Sequence, residues 1–482
     1  MQFNSYYFIL YFLPLIVLLY FLANRIKPAL GKLVLIVASV LFYSLGRVQM
    51  LVFLAISMAI NYGSAKVIRK RLHNKRLFMI LPIVVNVGLL LYCKYTNFVI
   101  TNINVIFGSE VPLKNIILPL GISFYTFQQI AYLVATENGE LKDNSLIDYL
   151  TYILYFPKLV MGPLADPVVF ITQLDEGDRK RLDLDKLASG IKLFSFGLIK
   201  KVLIADTFAD AASWVYSHLA DSTPVDCILL VVFYTLEIYF DFSGYSDMAL
   251  GVSSMLGIDL PINFDSPYKA ISIRNFWKRW HISLTKFLTK YIYIPLGGSR
   301  KGKVFTYVNT LIVFLISGLW HGANWTFVLW GLLHGLLSCF DRFFERFEEK
   351  IWKPIRWLFT MIAVSLLWLL FSAKSVGQWL MVLGKIVSIR SLSISDKLID
   401  QFNLPERNFF YDVFHIGNMA NGIKGFNMLV FLLVAGLICL IPENNYRNKD
   451  KLSVASMLLA AVSFVWGVLC LGSESTFVYF GF

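Results

Sequence analysis

From Val304 to Phe340 the chain has no Lys, Arg, Asp or Glu. Charge is scarce elsewhere too. Only 16% of the 482 residues are charged, against roughly 25% in soluble domains. With 57% hydrophobic residues and a mean hydropathy of +0.64, this excludes an ordinary string of soluble domains. Cysteine is also sparse: Cys93, Cys227, Cys339, Cys439 and Cys470 are odd in number and widely spaced, which points to free buried thiols and away from a disulfide framework. The six histidines include no H-x-x-x-H or Cys/His cluster, so no bound metal is expected. Tandem repeats and low-complexity tracts are absent. The chain also lacks a basic start and a small-residue cleavage site in residues 1–24, which reads as a retained first helix and not a removable signal peptide.

What is present is a series of uncharged stretches at 1–24, 48–65, 77–93, 115–136, 304–340, 357–373, 425–442 and 452–472, with fainter ones at 33–46, 149–165, 187–205 and 227–257. One helical pass needs about 20 apolar residues, and only helices or closed barrels satisfy the backbone in lipid. The pattern predicts an all-α, polytopic membrane protein of roughly 10–12 passes with partial helices, in a single unit spanning 1–482. The net charge of +13 does not imply nucleic acid, because the cations gather in short loops. Arg25, Lys27 and Lys32 follow the first stretch, and Lys66, Arg69, Lys70, Arg71, Lys75 and Arg76 follow the third. By the positive-inside rule these loops, Arg300–Lys303, Arg342–Arg356 and Arg447–Lys451 are cytoplasmic, which sends both termini outside. Extramembrane loops are expected at about 166–186 and 391–424, the second on the outer side and able to meet a partner.

Chemistry is concentrated in the middle of the chain. Two full passes would need about 40 residues, slightly more than the uncharged run 304–340 supplies, so its turn at Trp320-His321-Gly322-Ala323-Asn324-Trp325 should be sunk below the surface. His321 is thereby a candidate base at the floor of a recess. Residues 274–292 read as one amphipathic helix at headgroup level: Phe276, Trp277, Trp280, His281, Leu284, Phe287, Leu288, Tyr291 and Ile292 fall within about 160° of the helix circumference and Lys278, Arg279, Lys286 and Lys290 outside it. His281 lies on the apolar side; the plainer reading is a satisfied structural histidine. Phe240-Asp241-Phe242-Ser243-Gly244-Tyr245-Ser246-Asp247 sets two carboxylates in an apolar stretch, which suggests either a broken helix beside the site, with Asp241 and Asp247 supporting it, or a capped helix end. Leu296-Gly297-Gly298-Ser299-Arg300-Lys301-Gly302-Lys303 could hold donor phosphates through backbone amides and the cations Arg300, Lys301 and Lys303, or be an ordinary inside loop.

Several segments taken in order resemble the membrane-bound O-acyltransferase family: Pro119–Gln128, Phe156-Pro157 with Gly162-Pro163, Tyr239–Asp247, Phe276–Leu284, Tyr293–Gly298, Gly318–Ala323 and the ending Thr476–Phe482. The resemblance runs end to end, is densest between 237 and 335, and lies in the branch of bacterial alginate, peptidoglycan and other exopolysaccharide O-acetyltransferase membrane subunits. It implies a ring of helices around a thin core, with two funnels meeting at His321, the family's catalytic histidine, and His281, its second signature position. It further implies acyl transfer, most simply of acetyl, from a cytoplasmic thioester such as acetyl-CoA to hydroxyls of an extracytoplasmic polysaccharide. No cofactor is bound in such a reaction, and the partner is a secreted serine esterase-like protein. His321 would take the hydroxyl proton, His281 would position the thioester or stabilise charge, and Asn324 would donate to the oxyanion. Two places depart from the pattern: Thr289-Lys290 stands where relatives commonly carry Arg-Asp, and the segment Leu164-Ala165-Asp166-Pro167 stands where a basic residue is common. Two rival readings stay open. One is D-alanyl transfer to teichoic acid from a carrier-protein thioester. The other is a lipid-linked glycan flippase or transporter, for which paired broken helices would be expected where only 241–247 is a candidate.

Overall fold

A computed structural model describes the chain except at residues 45–47, 71–73, 142–144, 349, 389–390, 473–476 and 479–482. Arg71 of the basic loop and Thr476 and Tyr479–Phe482 of the ending therefore lie outside the described residues. Every regular element among the described residues is a helix, as a chain immersed in hydrocarbon requires. Phe8–Ile26, Gln49–Lys70, Lys75–Phe107, Lys303–His321 and Lys353–Ser372 are long and apolar enough to cross a membrane, and Pro28–Ser44, Val376–Val387, Phe426–Leu440 and Val454–Leu469 are shorter apolar helices. Their outward residues, such as Leu15, Leu81, Val84, Leu358 and Leu433, are exposed. Water would penalise so continuous an apolar surface, whereas lipid accommodates it.

The centre is the helix Pro224–Met255, buried along most of its length. Thr223 and Asp226 form a capping box at its start with Pro224 in the first turn, which satisfies free backbone amides there. Leu184–Ile199 packs against it at glycine pairs. A Cβ on Gly197 would stand 2.6 Å from the Gly244 carbonyl, and one on Gly244 2.8 Å from that of Gly197. Gly244 in the 240–247 motif is thus required for close approach of two backbones.

This helix corrects the first expectation, because it is unbroken through 241–247. The carboxylates are neutralised from the side instead: Asp241 meets Lys201 at 2.7 Å and Asp247 meets Lys200 at 2.6 Å. Lys201 also reaches Asp206 at 2.9 Å. Adjacent lysines reach both carboxylates from a π-helical segment, Lys200–Ala205. Once each buried charge has an opposite charge, unwinding has nothing to supply.

The second correction concerns 274–292. The segment is not one helix but Ile273–Trp277, Ile282–Leu288 and a π-helical turn Thr289–Tyr293, broken where His281 takes φ +44°. The cause is pairing with another strand of backbone: Asp265 N donates to Arg279 O and Ile282 N to Asn263 O, both at 3.0 Å. The apolar residues still turn inward. Phe276, Trp280 and Leu284 are buried while Lys278, Lys286 and Lys290 are exposed, so the tryptophans pack in the core and do not mark a headgroup belt. The stretches 115–136 and 149–165 are also interrupted. The first is helical only as Ile122–Glu137, after Gly121 at φ +71°; the second divides into Leu146–Leu154 and Phe156–Leu159. A Cβ on Gly121 would come within 2.9 Å of the Leu159 carbonyl, so these two non-helical pieces lie together, inside protein, where irregular backbone is tolerated.

Ion pairs define one polar end of the molecule. Arg179 holds Asp259 at 2.7 Å, Arg447 holds Asp265 at 2.7 Å, and Lys32 bridges Asp148 and Asp175. The opposite end carries residues 391–424, which form short helices Asp396–Asp400, Arg407–Val413 and Gly417–Gly422 and are tied on by Ser395 Oγ donating to Asp226 at 2.6 Å.

Candidate active site

The uncharged run folds as a hairpin of Lys303–His321 and Trp325–Phe343. Glycines allow its arms to close: a Cβ on Gly318 would stand 2.3 Å from the Phe327 carbonyl, and one on Gly322 2.1 Å from the Phe327 ring. His321 is the last residue of the first arm and is 4% exposed. Trp320, Phe371 and Trp330 pack around its ring at centroid distances of 4.8, 4.9 and 5.3 Å. The end of a helix leaves backbone carbonyls without intrahelical donors. Here the Lys75–Phe107 helix supplies them: Lys94 Nζ donates to the carbonyls of Trp320 and His321, each at 2.7 Å, and Tyr95 donates to that of Leu319.

His281 is 1% exposed. Its backbone break aims it inward, against Phe242 edge-to-face at 4.8 Å, with Trp320 at 6.1 Å and His321 at 6.4 Å between ring centres. An atom hydrogen-bonded to an imidazole nitrogen lies about 4 Å from the ring centre, so 6.4 Å is short enough for one oxygen or sulfur to touch both histidines. Two residues on, Ser283 Oγ donates to Asn263 Oδ1 at 2.6 Å and accepts from Leu164 N at 3.0 Å. These bonds tie the helix after His281 to two non-helical segments, at Leu164 and Asn263.

Two cavities lie close by, the first lined by His321 and the second by Ser283, two residues from His281. One, of about 420 Å³, is lined by Lys94, Ser123, Met161, Trp320 and His321 together with the non-helical residues 115–121. The other, of about 450 Å³, is lined by Gln128, Asp166, Ser283, Lys286, Lys290 and Tyr291 among others. Along the Ile122–Glu137 helix the first touches Ser123 and Phe124 and the second Phe127, Gln128 and Ala131, a nearest step of about 4.5 Å at 1.5 Å per residue. Between them the rings of Phe127, Phe287 and Trp320 stack, Phe127 lying 4.1 Å from Phe287 and 5.4 Å from Trp320. The second cavity contains both departures from the family pattern, and they meet: Lys290 binds Asp166 at 3.1 Å. Burial opposes it, but the Asp166 carboxylate holds the Lys290 ammonium above the ordinary lysine range.

Not every expected site residue belongs to this arrangement. Asn324 caps Trp325–Phe343, its side chain accepting from Thr326 N at 3.1 Å and donating to Lys374 O at 3.1 Å; a loop before a helix start needs that cap. Asp241 and Asp247 are occupied by lysines, and the same motif reaches His281 through Phe242 instead. Arg300, Lys301 and Lys303 are exposed at the far end of the first arm, about 27 Å from His321 along the helix. His334 accepts at Nδ1 from Trp277 Nε1 at 3.3 Å and sits between Trp330 and Trp368, a core position. Lys94 was not singled out from the sequence, although it is the sole charge between Arg76 and Glu110 and so carried the signal of an isolated intramembrane cation.

A family model described as MBOAT, membrane-bound O-acyltransferase family, matches residues 33–383. The chain belongs to the membrane-bound O-acyltransferase family. It is a multi-pass membrane protein and an O-acyltransferase. It is 35% identical to a peptidoglycan O-acetyltransferase of Helicobacter pylori, over all of this chain and 97% of that relative. It is 37% identical to a probable alginate O-acetylase AlgI of Pseudomonas aeruginosa over 78% of this chain and 73% of the relative, and 28% identical to a teichoic acid D-alanyltransferase of Bacillus subtilis over 52% and 66%.

Proposed function

We propose that this membrane-bound O-acyltransferase moves an acetyl group from a cytoplasmic thioester, acetyl-CoA in the simplest case, to hydroxyls of a cell-envelope or secreted polysaccharide outside the membrane. The reading rests on one observation above all: His321 and His281 stand 6.4 Å apart, His321 lining one cavity and Ser283, two residues from His281, lining another. A donor entering from the polar end, beside Lys286 and Lys290, and an acceptor entering from the other need meet only at the histidines. His321 then takes the acceptor proton as oxygen attacks the thioester carbon and returns it to the departing thiolate. His281 orients the thioester, and the aromatic wall keeps bulk water from hydrolysing it. A separate extracytoplasmic serine esterase-like protein receives the acyl group or carries it to the polymer. The cell membrane is the site of action, with the basic loops cytoplasmic and both termini outside.

Acetyl transfer is preferred to D-alanyl transfer because the peptidoglycan O-acetyltransferase aligns over the whole chain, while the D-alanyltransferase aligns over 52% of it. The test is mass spectrometry of envelope and secreted glycans from a deletion strain. Loss of an O-acetyl ester, restored by the wild-type chain and not by His321→Ala, is expected. An intact ester pattern, or loss of D-alanine esters alone, would overturn the reading.

A further inference from the structure

Lys94 is a charged residue of the first cavity that the proposed chemistry has not used. It stands in the Lys75–Phe107 helix, and among the described residues no carboxylate lies within ion-pair distance of it. Its Nζ donates to the backbone carbonyls of Trp320 and His321. An ammonium has three donors, and the third has no protein acceptor among the described residues, while the side chain lines the cavity with His321 and Ser123. Capping the hairpin arm does not require a charge, since Tyr95 next to it caps the Leu319 carbonyl with a neutral hydroxyl. A cation in an apolar segment is costly, and such residues commonly face a cavity and mark a functional site, pairing with carbonyls or with charge of opposite sign. In acyl transfer an anion forms on the thioester carbonyl oxygen.

We propose that Lys94 is a catalytic residue, the hydrogen-bond donor that stabilises the oxyanion of the tetrahedral intermediate, a role that rests on the acyl-transfer reading above. The acceptor oxygen bonds to the carbonyl carbon as a His321 ring nitrogen takes its proton. The carbonyl π electrons move onto oxygen, facing the third Lys94 N–H. When the carbonyl re-forms, the C–S bond breaks and the thiolate takes the proton back from His321. Lys94 stays an ammonium throughout, and its two bonds to the Trp320 and His321 carbonyls fix it relative to the base.

Two variants separate this role from capping. Lys94→Gln retains two N–H donors, enough for both carbonyls, and loses the third along with the charge; Lys94→Met loses all three. The full-length protein in detergent, together with its extracytoplasmic serine esterase-like partner, is assayed for thiol release from acetyl-CoA with peptidoglycan or alginate fragments as acceptor, and from the dithioester analogue, in which sulfur replaces the carbonyl oxygen and accepts hydrogen bonds weakly. Both variants should lower kcat by about 10²–10³ with little change in KM, and the wild-type preference for the oxygen donor should collapse. A kcat within threefold of wild type would overturn the proposal while leaving His321 as the base. So would a lowered kcat with the oxygen-to-sulfur preference unchanged, or failure of both variants to accumulate, which would make Lys94 a structural cap. Wild-type protein that releases no thiol would instead overturn the acyl-transfer reading itself.

Discussion

Asp241 and Asp247 lie on one helix, each within 2.7 Å of a lysine from the neighbouring helix, whereas His281 and His321 come from two different breaks in the chain and face each other among aromatic rings beside open cavities. Both places put ionisable side chains into apolar surroundings. In the first, every charge is answered by an opposite charge and the backbone stays regular. In the second, the backbone is interrupted, at φ +44° for His281 and at a helix end for His321, and the side chains are groups that can be buried neutral and still exchange a proton. The difference separates a structural use of polarity from a chemical one, and it lies in the pairing and the backbone break more than in the depth of burial.

Breaking the pairing should show it most strongly. Asp247→Ala leaves Lys200 buried without its carboxylate, which costs about 3–5 kcal/mol for a pair of this kind; the protein should accumulate poorly and unfold at lower temperature in detergent. The double variant Lys200→Met, Asp247→Leu removes both charges and should recover most of the stability, with thioester turnover preserved. If the double variant were stable and inactive, the carboxylates would belong to the chemistry and the contrast would fail.

The sequence made one of these regions readable and misled about the other. An uncharged run slightly short of two passes located the sunken hairpin and His321, because bilayer thickness fixes the length of a pass. Hydrophobic periodicity placed His281 on the inward side, and the inward residues are the same in the structure even though the helix is not continuous. The break was not legible because its cause, pairing of residues 263–265 with 279–282, is non-local. For the same reason Asp241 and Asp247 resembled a functional interruption: their partners, Lys200 and Lys201, lie 40 or more residues earlier in the chain and at the edge of what looked like a separate pass. Lys94 was legible as an isolated charge, but its role depends on the carbonyls it meets more than 200 residues later.

A smaller effect would sharpen the comparison at the surface. Neutralising Arg300, Lys301 and Lys303 together removes cations that are exposed and about 27 Å from His321 along its helix. Use of a phosphate-bearing donor should weaken by no more than a few-fold, visibly at low ionic strength and hardly at high, because such attraction is screened by salt. Turnover unchanged across a salt series would remove the loop from donor binding and leave the histidines untouched. A loss as deep as that of a histidine variant would place the donor's reactive end at the loop and contradict the site described here.

The most direct test of the central claim is thiol release from acetyl-CoA by the purified full-length protein in detergent, with its serine esterase-like partner and polysaccharide fragments present, comparing wild type with His321→Ala. Acyl transfer needs no sealed compartment, so the wild-type protein should release thiol and form ester in equal amounts, and His321→Ala should be slower by a factor of about 10²–10⁴ while eluting as a folded protein. Turnover in His321→Ala equal to wild type, or activity that appears only when the protein is sealed in vesicles, would contradict it.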